Sequence, residues 1–300
     1  MPNARITSLL QLHFIVFIWG FTAILGELIT ITAIPLVWYR MSIATLFVFL
    51  YLRFKKYAFH LPLRLKGLTA LGGIIIAFHW ITFFHAIKIS NISITLAVLS
   101  SGAFFTSLLE PLLYKRKLIG YEVIFGVLII CGVFLIFKAE PEQVEGIYFA
   151  LSSAILSSLF ALLNGKIATQ AKPSVISFYE LSFGALLVTL YMIFSTVQAD
   201  VSFPVPAGMD WVYIMILSSV CTACAFIVAV KVMKHLSPFT VMLTTNLEPI
   251  YGILLALLIF GDNEKMTSLF YYGALLIIGT VILNGLLKLR KKTNVGSNAL

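Results

Sequence analysis

Long apolar stretches, separated by short polar segments, follow one another along almost the whole chain. A helix of about 20 predominantly apolar residues can cross the hydrocarbon core of a bilayer. Ten stretches of about this length are present, at residues 9–28, 35–53, 67–87, 94–114, 119–138, 146–165, 175–195, 210–230, 239–260 and 268–288. The composition agrees, since 60% of the residues are hydrophobic and 11% are charged, against roughly 25% charged residues in a soluble domain. We therefore predict an all-α membrane protein with ten transmembrane helices in the lipid bilayer.

The basic residues are distributed unevenly over the segments that connect these spans. The net charge of +9 would suggest nucleic-acid binding in a soluble protein. With the N-terminus in the cytoplasm, 17 of the 21 Lys and Arg residues fall on the cytoplasmic side, three fall outside, and Arg40 lies within a span. Because Lys and Arg are enriched in cytoplasmic loops, we expect both termini in the cytoplasm, a basic tail at 289–300 and no nucleic-acid partner. The expected location is the cytoplasmic (inner) membrane of a bacterium.

The two halves of the chain resemble each other. The sequence Trp-Tyr-Arg-Met-Ser at 38–42 is similar to Phe-Tyr-Glu-Leu-Ser at 178–182, which aligns Arg40 with Glu180. We interpret residues 9–138 and 146–288 as two repeats of five spans each. Because five is odd, the second repeat enters the membrane from the opposite side, so the repeats have inverted topology. Such repeats underlie many secondary transporters, whose substrate site lies near the membrane midplane between the halves.

A second similarity between the halves is misleading. The triplet Leu-Glu-Pro begins at both Leu109 and Leu247, but matching the two triplets would require insertions of opposite sign on either side. The surrounding helix fits a different alignment, which pairs Lys88 with Lys234 and Ser100 with Asn246. Under that pairing Glu248 has no acidic counterpart in the first repeat.

The repeat favours a carrier that works by alternating access, and the alternative is a passive channel or facilitator for small solutes. We expect no enzyme, because the chain contains no His-Glu-x-x-His, Gly-x-Ser-x-Gly, paired aspartates or phosphate-binding glycine loop. Cys221 and Cys224 lie within one apolar span without a second Cys pair, so we expect neither a metal site nor a cofactor.

Several short motifs in order along the chain resemble the EamA family of the drug/metabolite transporter superfamily. They are Trp19-Gly20, Pro35, Trp38-Tyr39-Arg40, Ala86-Ile87-Lys88, Asn246-Leu247-Glu248-Pro249, Phe260-Gly261-Asp262 and the pair Gly273 and Gly279. The resemblance implies a ten-helix carrier, usually an exporter of amino acids, other metabolites or toxic small molecules. The chain departs from the family pattern at Ser101-Gly102-Ala103, where Ser-Pro is common, which leaves open whether span four bends.

Ionisable residues inside the spans are the first candidates for a functional site, because they are costly in a membrane. Arg40 and its repeat counterpart Glu180 lie at mirrored depths. Arg40 is expected to bind a substrate carboxylate or to gate the outer vestibule; the alternatives are a structural ion pair or a side chain that reaches the interface. Glu248, beside Asn246 and followed by the helix-bending Pro249, is expected to carry a coupling proton or bind a substrate amine, or to serve only in helix packing.

Aromatic residues accompany these charges. His79 lies in the middle of span three beside Trp80, and Trp19, Tyr39 and Tyr179 add further rings. We expect them to line a cavity for an amphipathic or aromatic small molecule, with His79 as a hydrogen-bonding or proton-responsive group; ordinary packing is the alternative. The partners predicted from the sequence are thus the bilayer, a small-molecule substrate and protons as candidate coupling ions.

Overall fold

The computed structural model describes residues 2–115, 120–199 and 204–297, and this part of the chain is built from helices without strands. Thirteen α-helices follow one another within these ranges. They are α1 (Pro2–Leu28), α2 (Ala33–Phe54), α3 (Leu63–Ile89), α4 (Ile92–Leu99), α5 (Gly102–Tyr114), α6 (Gly120–Ala139), α7 (Val144–Ile167), α8 (Pro173–Ala199), α9 (Asp210–Ser218), α10 (Ala225–Val232), α11 (Pro238–Thr245), α12 (Glu248–Phe260) and α13 (Ser268–Ser297). Short 3₁₀ turns precede α7 and follow α12, and a π-helical turn at Ser219–Cys224 joins α9 to α10.

Eight helical segments in the described residues are long and apolar enough to cross a membrane. They coincide with the predicted spans one to four and six to nine. Two shorter apolar stretches, Ile124–Ala139 and Ser268–Leu283, coincide with the predicted spans five and ten. The described part of the predicted basic tail continues α13 as far as Ser297, and residues 298–300 lie outside the described part of the chain.

Two of the apolar segments are interrupted in the middle. One consists of α4 and α5, with the interruption at Ser100 and Ser101, and the other consists of α11 and α12, with the interruption at Asn246 and Leu247. Pro249 lies in the first turn of α12, where its missing N–H and fixed φ suit a helix start. The first interruption has no proline. There the Ser100 hydroxyl donates to the carbonyl oxygen of Ala97 at 2.6 Å, a local bond of the kind that bends helices.

The helices of the two sequence halves pack against one another. Helix α3 lies against α7 and α8, α2 lies against α8 and α9, and α1 lies against α10 and α12. Helices α6 and α13 pack mainly on each other, with fewer contacts to α4, α5 and α11. The protein interior is therefore formed at the junction between the halves.

Equivalent side chains of α2 and α8 make reciprocal contacts, each with a residue of the opposite half. Trp38 in α2 donates its indole N–H to the Thr189 hydroxyl of α8 at 2.7 Å. Phe178, the repeat equivalent of Trp38, packs on Phe49, the repeat equivalent of Thr189, with ring centroids 6.1 Å apart. Each half therefore presents the same pair of positions to the other, as expected for two repeats that pack symmetrically.

The starts of α4 and α11 follow the alignment that pairs Lys88 with Lys234. The Asn91 side chain caps α4 by accepting from the Ile94 amide at 2.8 Å. Its equivalent in that alignment is Ser237, whose side chain caps α11 by accepting from the Thr240 amide at 3.3 Å. Asn and Ser are preferred residues at this position because their side-chain oxygens satisfy a free backbone donor.

Candidate substrate cavity

A cavity lies between the two halves, against the interruptions of both broken segments. The empty space, including the part that is open to the outside, is about 910 Å³. Binding cavities of proteins combine apolar walls with a few polar groups. Six of the residues predicted from the sequence line it: Trp19, Arg40, His79, Trp80, Asn246 and Glu248.

Arg40 is buried in the wall of this cavity, with 2% of its surface exposed. Its Nε donates to the Thr222 hydroxyl at 2.7 Å, and Thr222 belongs to the π-helical turn. The guanidinium carbon lies 3.8 Å from the centroid of the Trp80 ring, a cation–π contact. Arg40 therefore points inward, stacked on Trp80, rather than toward the membrane interface.

Two buried donor atoms of the cavity residues have no hydrogen-bond partner in the described part of the chain. They are Nη1 of Arg40 and Nδ2 of Asn246. Buried polar groups are almost always paired, because leaving one unsatisfied costs about 1–3 kcal/mol. Because Arg40 and Asn246 line the same cavity, its wall contains donors that the described residues leave unsatisfied.

The helix interruption beside Asn246 adds to the positive character of the cavity. Glu248 is the first residue of α12 and is 7% exposed. The start of a helix carries free N–H groups and a partial positive charge, which favour an anionic group nearby. Ser100, at the corresponding interruption before α5, also lines the cavity. The site thus offers a buried guanidinium and helix starts as donors, with the Glu248 carboxyl as an acceptor.

His79 is oriented by α7. Its Nδ1 lies 3.0 Å from the Ser153 carbonyl oxygen and 2.8 Å from the Ser153 hydroxyl. The same hydroxyl donates to the His79 carbonyl at 3.1 Å. All of these contacts are satisfied when Nδ1 carries the ring proton and donates a hydrogen bond to Ser153. In that neutral tautomer, Nε2 is an acceptor, which suits a hydroxyl or amine on a ligand.

Aromatic rings form much of the remaining wall. Trp80 packs edge-on against Phe226 at 5.8 Å between centroids, and Phe160 lies 5.4 Å from the same Phe226 ring. Trp19 donates its indole N–H to the Cys221 carbonyl at 3.1 Å, which ties α1 to the π-helical turn. Aromatic surfaces of this kind favour an apolar or aromatic part of a ligand.

The other three predicted site residues lie away from the cavity. Tyr39 donates to the Pro204 carbonyl at 3.3 Å, and Tyr179 donates to the Phe59 carbonyl at 2.9 Å. Each tyrosine bonds to a loop of the opposite half, so the two tyrosines also make reciprocal contacts between the repeats. Glu180 is fully buried and accepts a hydrogen bond from the Asn164 side chain.

Several cavity residues were not predicted to be part of a site. Thr22, Phe160 and Phe226 line the cavity, and Thr222 holds Arg40. Small hydroxyl and aromatic residues are common in apolar helices, and the π-helical turn that presents Thr222 has no marker in the sequence. Ser100 had a signal, since the repeat alignment of its helix pairs it with Asn246.

Apolar helices around a cavity with unpaired polar groups define an integral membrane protein with a small-molecule site. The family described as the EamA-like transporter family matches residues 7–138 and again 144–286. The chain belongs to this family, as its motifs indicated, and it is a membrane transport protein for small solutes.

Comparison with solved structures agrees with this fold. The chain is similar to a crystal structure identified only as that of a protein, with a TM-score of 0.68 and 18% identity. The match covers 94% of this chain and 98% of the other. No curated protein matches the sequence.

Proposed function

We propose that the protein is a secondary carrier of a bacterial inner membrane that exports a small metabolite by alternating access. It would span the bilayer ten times, as two inverted five-helix repeats at 9–138 and 146–288, with both termini in the cytoplasm. The main support is the cavity between the halves, where the guanidinium of Arg40 is buried with an unpaired donor. A carrier needs such a site at the interface that opens alternately to either side.

The cavity favours a substrate with a carboxylate and an apolar or aromatic part, such as an amino acid or a related compound. Arg40 Nη1 and Asn246 Nδ2 would donate to the carboxylate, assisted by the helix start at Glu248. The apolar part would lie against Trp80 and Phe226. Glu248 would accept a substrate amine or carry the coupling proton, and these two roles remain alternatives.

The proposed export requires a state that is closed to the outside, and contacts are present at the helix ends that the proposed topology places there. Asp210 accepts from the Thr30 amide at 3.0 Å and from its hydroxyl at 2.6 Å. Lys88 donates to the carbonyl of Ile29 at 2.6 Å, and the Glu264 carboxylate accepts from the Ser93 amide at 2.9 Å. These contacts close the outer ends of α1, α3, α4 and α9, which suits a state that is loaded from the cytoplasm.

The proposal is tested by transport in liposomes. A thermal-shift screen of the purified protein against metabolites identifies a ligand, because a ligand that binds the folded state raises its apparent stability. The ligand is then labelled, and its uptake is measured in liposomes that contain the wild-type protein, Arg40→Gln or the matched control Arg64→Gln. Arg64 is an exposed residue in the first turn of α3. We expect Arg40→Gln to lose uptake and Arg64→Gln to retain it.

Counterflow distinguishes a carrier from a passive channel. A carrier accelerates uptake when unlabelled substrate is present on the opposite side, whereas a channel does not. Flux without this trans-stimulation would refute alternating access. Equal uptake by wild type and Arg40→Gln would refute the proposed site.

A further inference from the structure

Glu180 occupies a second polar position inside the protein, outside the substrate cavity. It lies on α8 with no exposed surface, and its Oε1 accepts from the Asn164 amide nitrogen of α7 at 2.9 Å. Its other oxygen, Oε2, is buried without a partner, and so is Oδ1 of the same Asn164. The two unpaired atoms therefore belong to one pair of side chains.

Within the described ranges, no cation is placed to offset the charge that Glu180 would carry if it were ionised. Arg40 of α2 bonds to Thr222, and His79 of α3 bonds to Ser153. Lys231 of α10 and Lys166 of α7 are exposed. None of the described basic residues on these helices makes an ion pair or a hydrogen bond with Glu180.

Protonation of Glu180 would give both unpaired atoms a hydrogen-bond partner. An ionised carboxylate would leave Oε2 and Asn164 Oδ1 as two buried acceptors facing no donor. A neutral acid has one O–H donor, which matches the free acceptor of Asn164 while Oε1 keeps its bond to Nδ2. An uncompensated charge in a membrane interior is strongly disfavoured, so this conformation suits the neutral acid.

Water cannot reach Glu180 while α3 lies against α8. Gly72 and Gly73 of α3 face it so closely that a Cβ added at Gly72 would lie 2.5 Å from Glu180 Oε1. A Cβ added at Gly73 would collide with the Glu180 carbonyl oxygen. Only the absence of side chains at these two positions allows the approach. An ionised Glu180 could be hydrated only if the two helices separated.

We propose that Glu180 is a proton-binding site distinct from the substrate cavity, and that release of its proton accompanies separation of α3 from α8. Helix α3 belongs to the first repeat and α8 to the second, so the proton acts on the junction that alternating access must move. The coupling role rests on the proposed carrier function, whereas occupancy of the site by a proton does not.

Infrared spectroscopy of the full-length protein in lipid tests the occupancy. At neutral pH, wild type is expected to show the C=O stretch of a protonated carboxyl, and Glu180→Gln is expected to lose it. Glu248→Gln is the matched control, because it removes another buried carboxyl and leaves Glu180 in place. An unchanged band in Glu180→Gln would overturn the proposal.

A second variant keeps the test decisive if Glu180→Gln does not fold. Asn164→Leu removes the amide that bonds to the acid, so the protonated C=O stretch should shift to the frequency of a free acid. A spectrum identical to that of wild type would show that no neutral Glu180 is paired with Asn164, and would equally overturn the proposal.

Electron paramagnetic resonance distances test the coupling. Spin labels at Leu71 of α3 and Leu186 of α8, which are 48% and 52% exposed, are introduced after replacement of Cys131, Cys221 and Cys224. We expect the distance to increase at alkaline pH with Glu180 present and to stay short with Glu180→Gln. The same pH dependence in both proteins would refute the coupling. A wild-type protonated band together with absent transport would retain the proton site and reject the carrier.

Discussion

Replacement of Arg40 by methionine is expected to stabilise the folded protein while it abolishes transport. Arg40 is buried and stacked on Trp80, but its hydrogen bonding to the described residues is limited to the bond from Nε to Thr222. Methionine reaches about as far as the Nε of arginine, so it keeps the apolar part of the side chain without bringing a charge into the interior. If Arg40 serves substrate binding, its burial is a stability cost that a variant can remove.

The magnitude follows from the contacts that are lost and the penalties that are removed. A hydrogen bond from a charged donor contributes about 1.5–3 kcal/mol, and a desolvated cation–π contact contributes about 2 kcal/mol. Against this, an unpaired buried donor costs about 1–3 kcal/mol, and desolvation of the charge costs several kcal/mol more. Thr222 still donates to the Leu217 carbonyl, so the substitution does not leave its hydroxyl proton unpaired. Part of this gain is offset because Glu248, which interacts electrostatically with Arg40, stays in place in the variant, and we expect a net gain of about 1 kcal/mol.

Reversible unfolding in mixed detergent micelles measures this difference, and liposome uptake measures the loss of transport. Met41→Ala is the matched control, because the neighbouring Met41 is fully buried and its truncation should cost about 2–5 kcal/mol. A loss of more than about 1 kcal/mol in Arg40→Met would show that the guanidinium is needed for folding, and the argument for a functional Arg40 would fail.

Three further changes test other parts of the structure. Glu248→Gln should abolish transport driven by a pH gradient if Glu248 carries the coupling proton; unchanged coupling, measured in liposomes, would reject that role. Gly73→Ala should destabilise the protein by about 1–3 kcal/mol by overpacking α3 against α8, whereas Gly67→Ala, with nothing near its Cβ, should stabilise it by about 0.5–1 kcal/mol; equal effects in an unfolding titration would contradict the close contact. Asp210→Ala should remove both hydrogen bonds from Thr30 and reduce the fraction of molecules that are closed at the outer end, so a cysteine introduced in the cavity should be labelled faster. An unchanged labelling rate would show that these bonds do not keep the outer end closed.

The positions of the helices could be read from the sequence because hydropathy averages over about 20 residues. The same averaging hides the interruptions within a span. The interruption at Asn246 was approximately predicted, since Pro249 cannot continue a helix that runs into it. Whether the helix bends at Ser100 was left open, because this interruption contains no proline that would indicate it. A serine hydroxyl that bonds to its own helix is found there instead.

The rejected match between the two Leu-Glu-Pro triplets shows what the repeat could reveal. Glu248 is the first residue of α12, at the cavity, whereas Glu110 is the ninth residue of α5. The alignment of Ser100 with Asn246 instead pairs the two interruptions, the caps Asn91 and Ser237, and the starts of α5 and α12. Identity over a short triplet was therefore less informative than the spacing of a whole helix.

Tyr39 and Tyr179 could not be placed from the sequence, although their equivalence in the repeat was evident. A sequence repeat indicates that two positions are equivalent, but not which neighbour each one meets. Each hydroxyl bonds to a loop of the opposite half, so their shared role is to hold the halves together. The positions of Tyr39 beside Arg40 and of Tyr179 beside Glu180 had suggested a cavity wall, but the aromatic residues of the wall come from α1, α3, α7 and α10.

Arg40 and Glu180 illustrate how one repeated position can acquire two roles. Both are buried at equivalent repeat positions on α2 and α8, yet their surroundings differ. Arg40 faces Trp80 in the wall of the cavity, so the guanidinium lies next to the space that a ligand would fill. Glu180 faces Gly72 and Gly73, which bring a backbone against the carboxyl and leave room for nothing larger than a proton. If both proposals hold, the residues opposite each charge, more than the charges themselves, determine which ligand each half would bind.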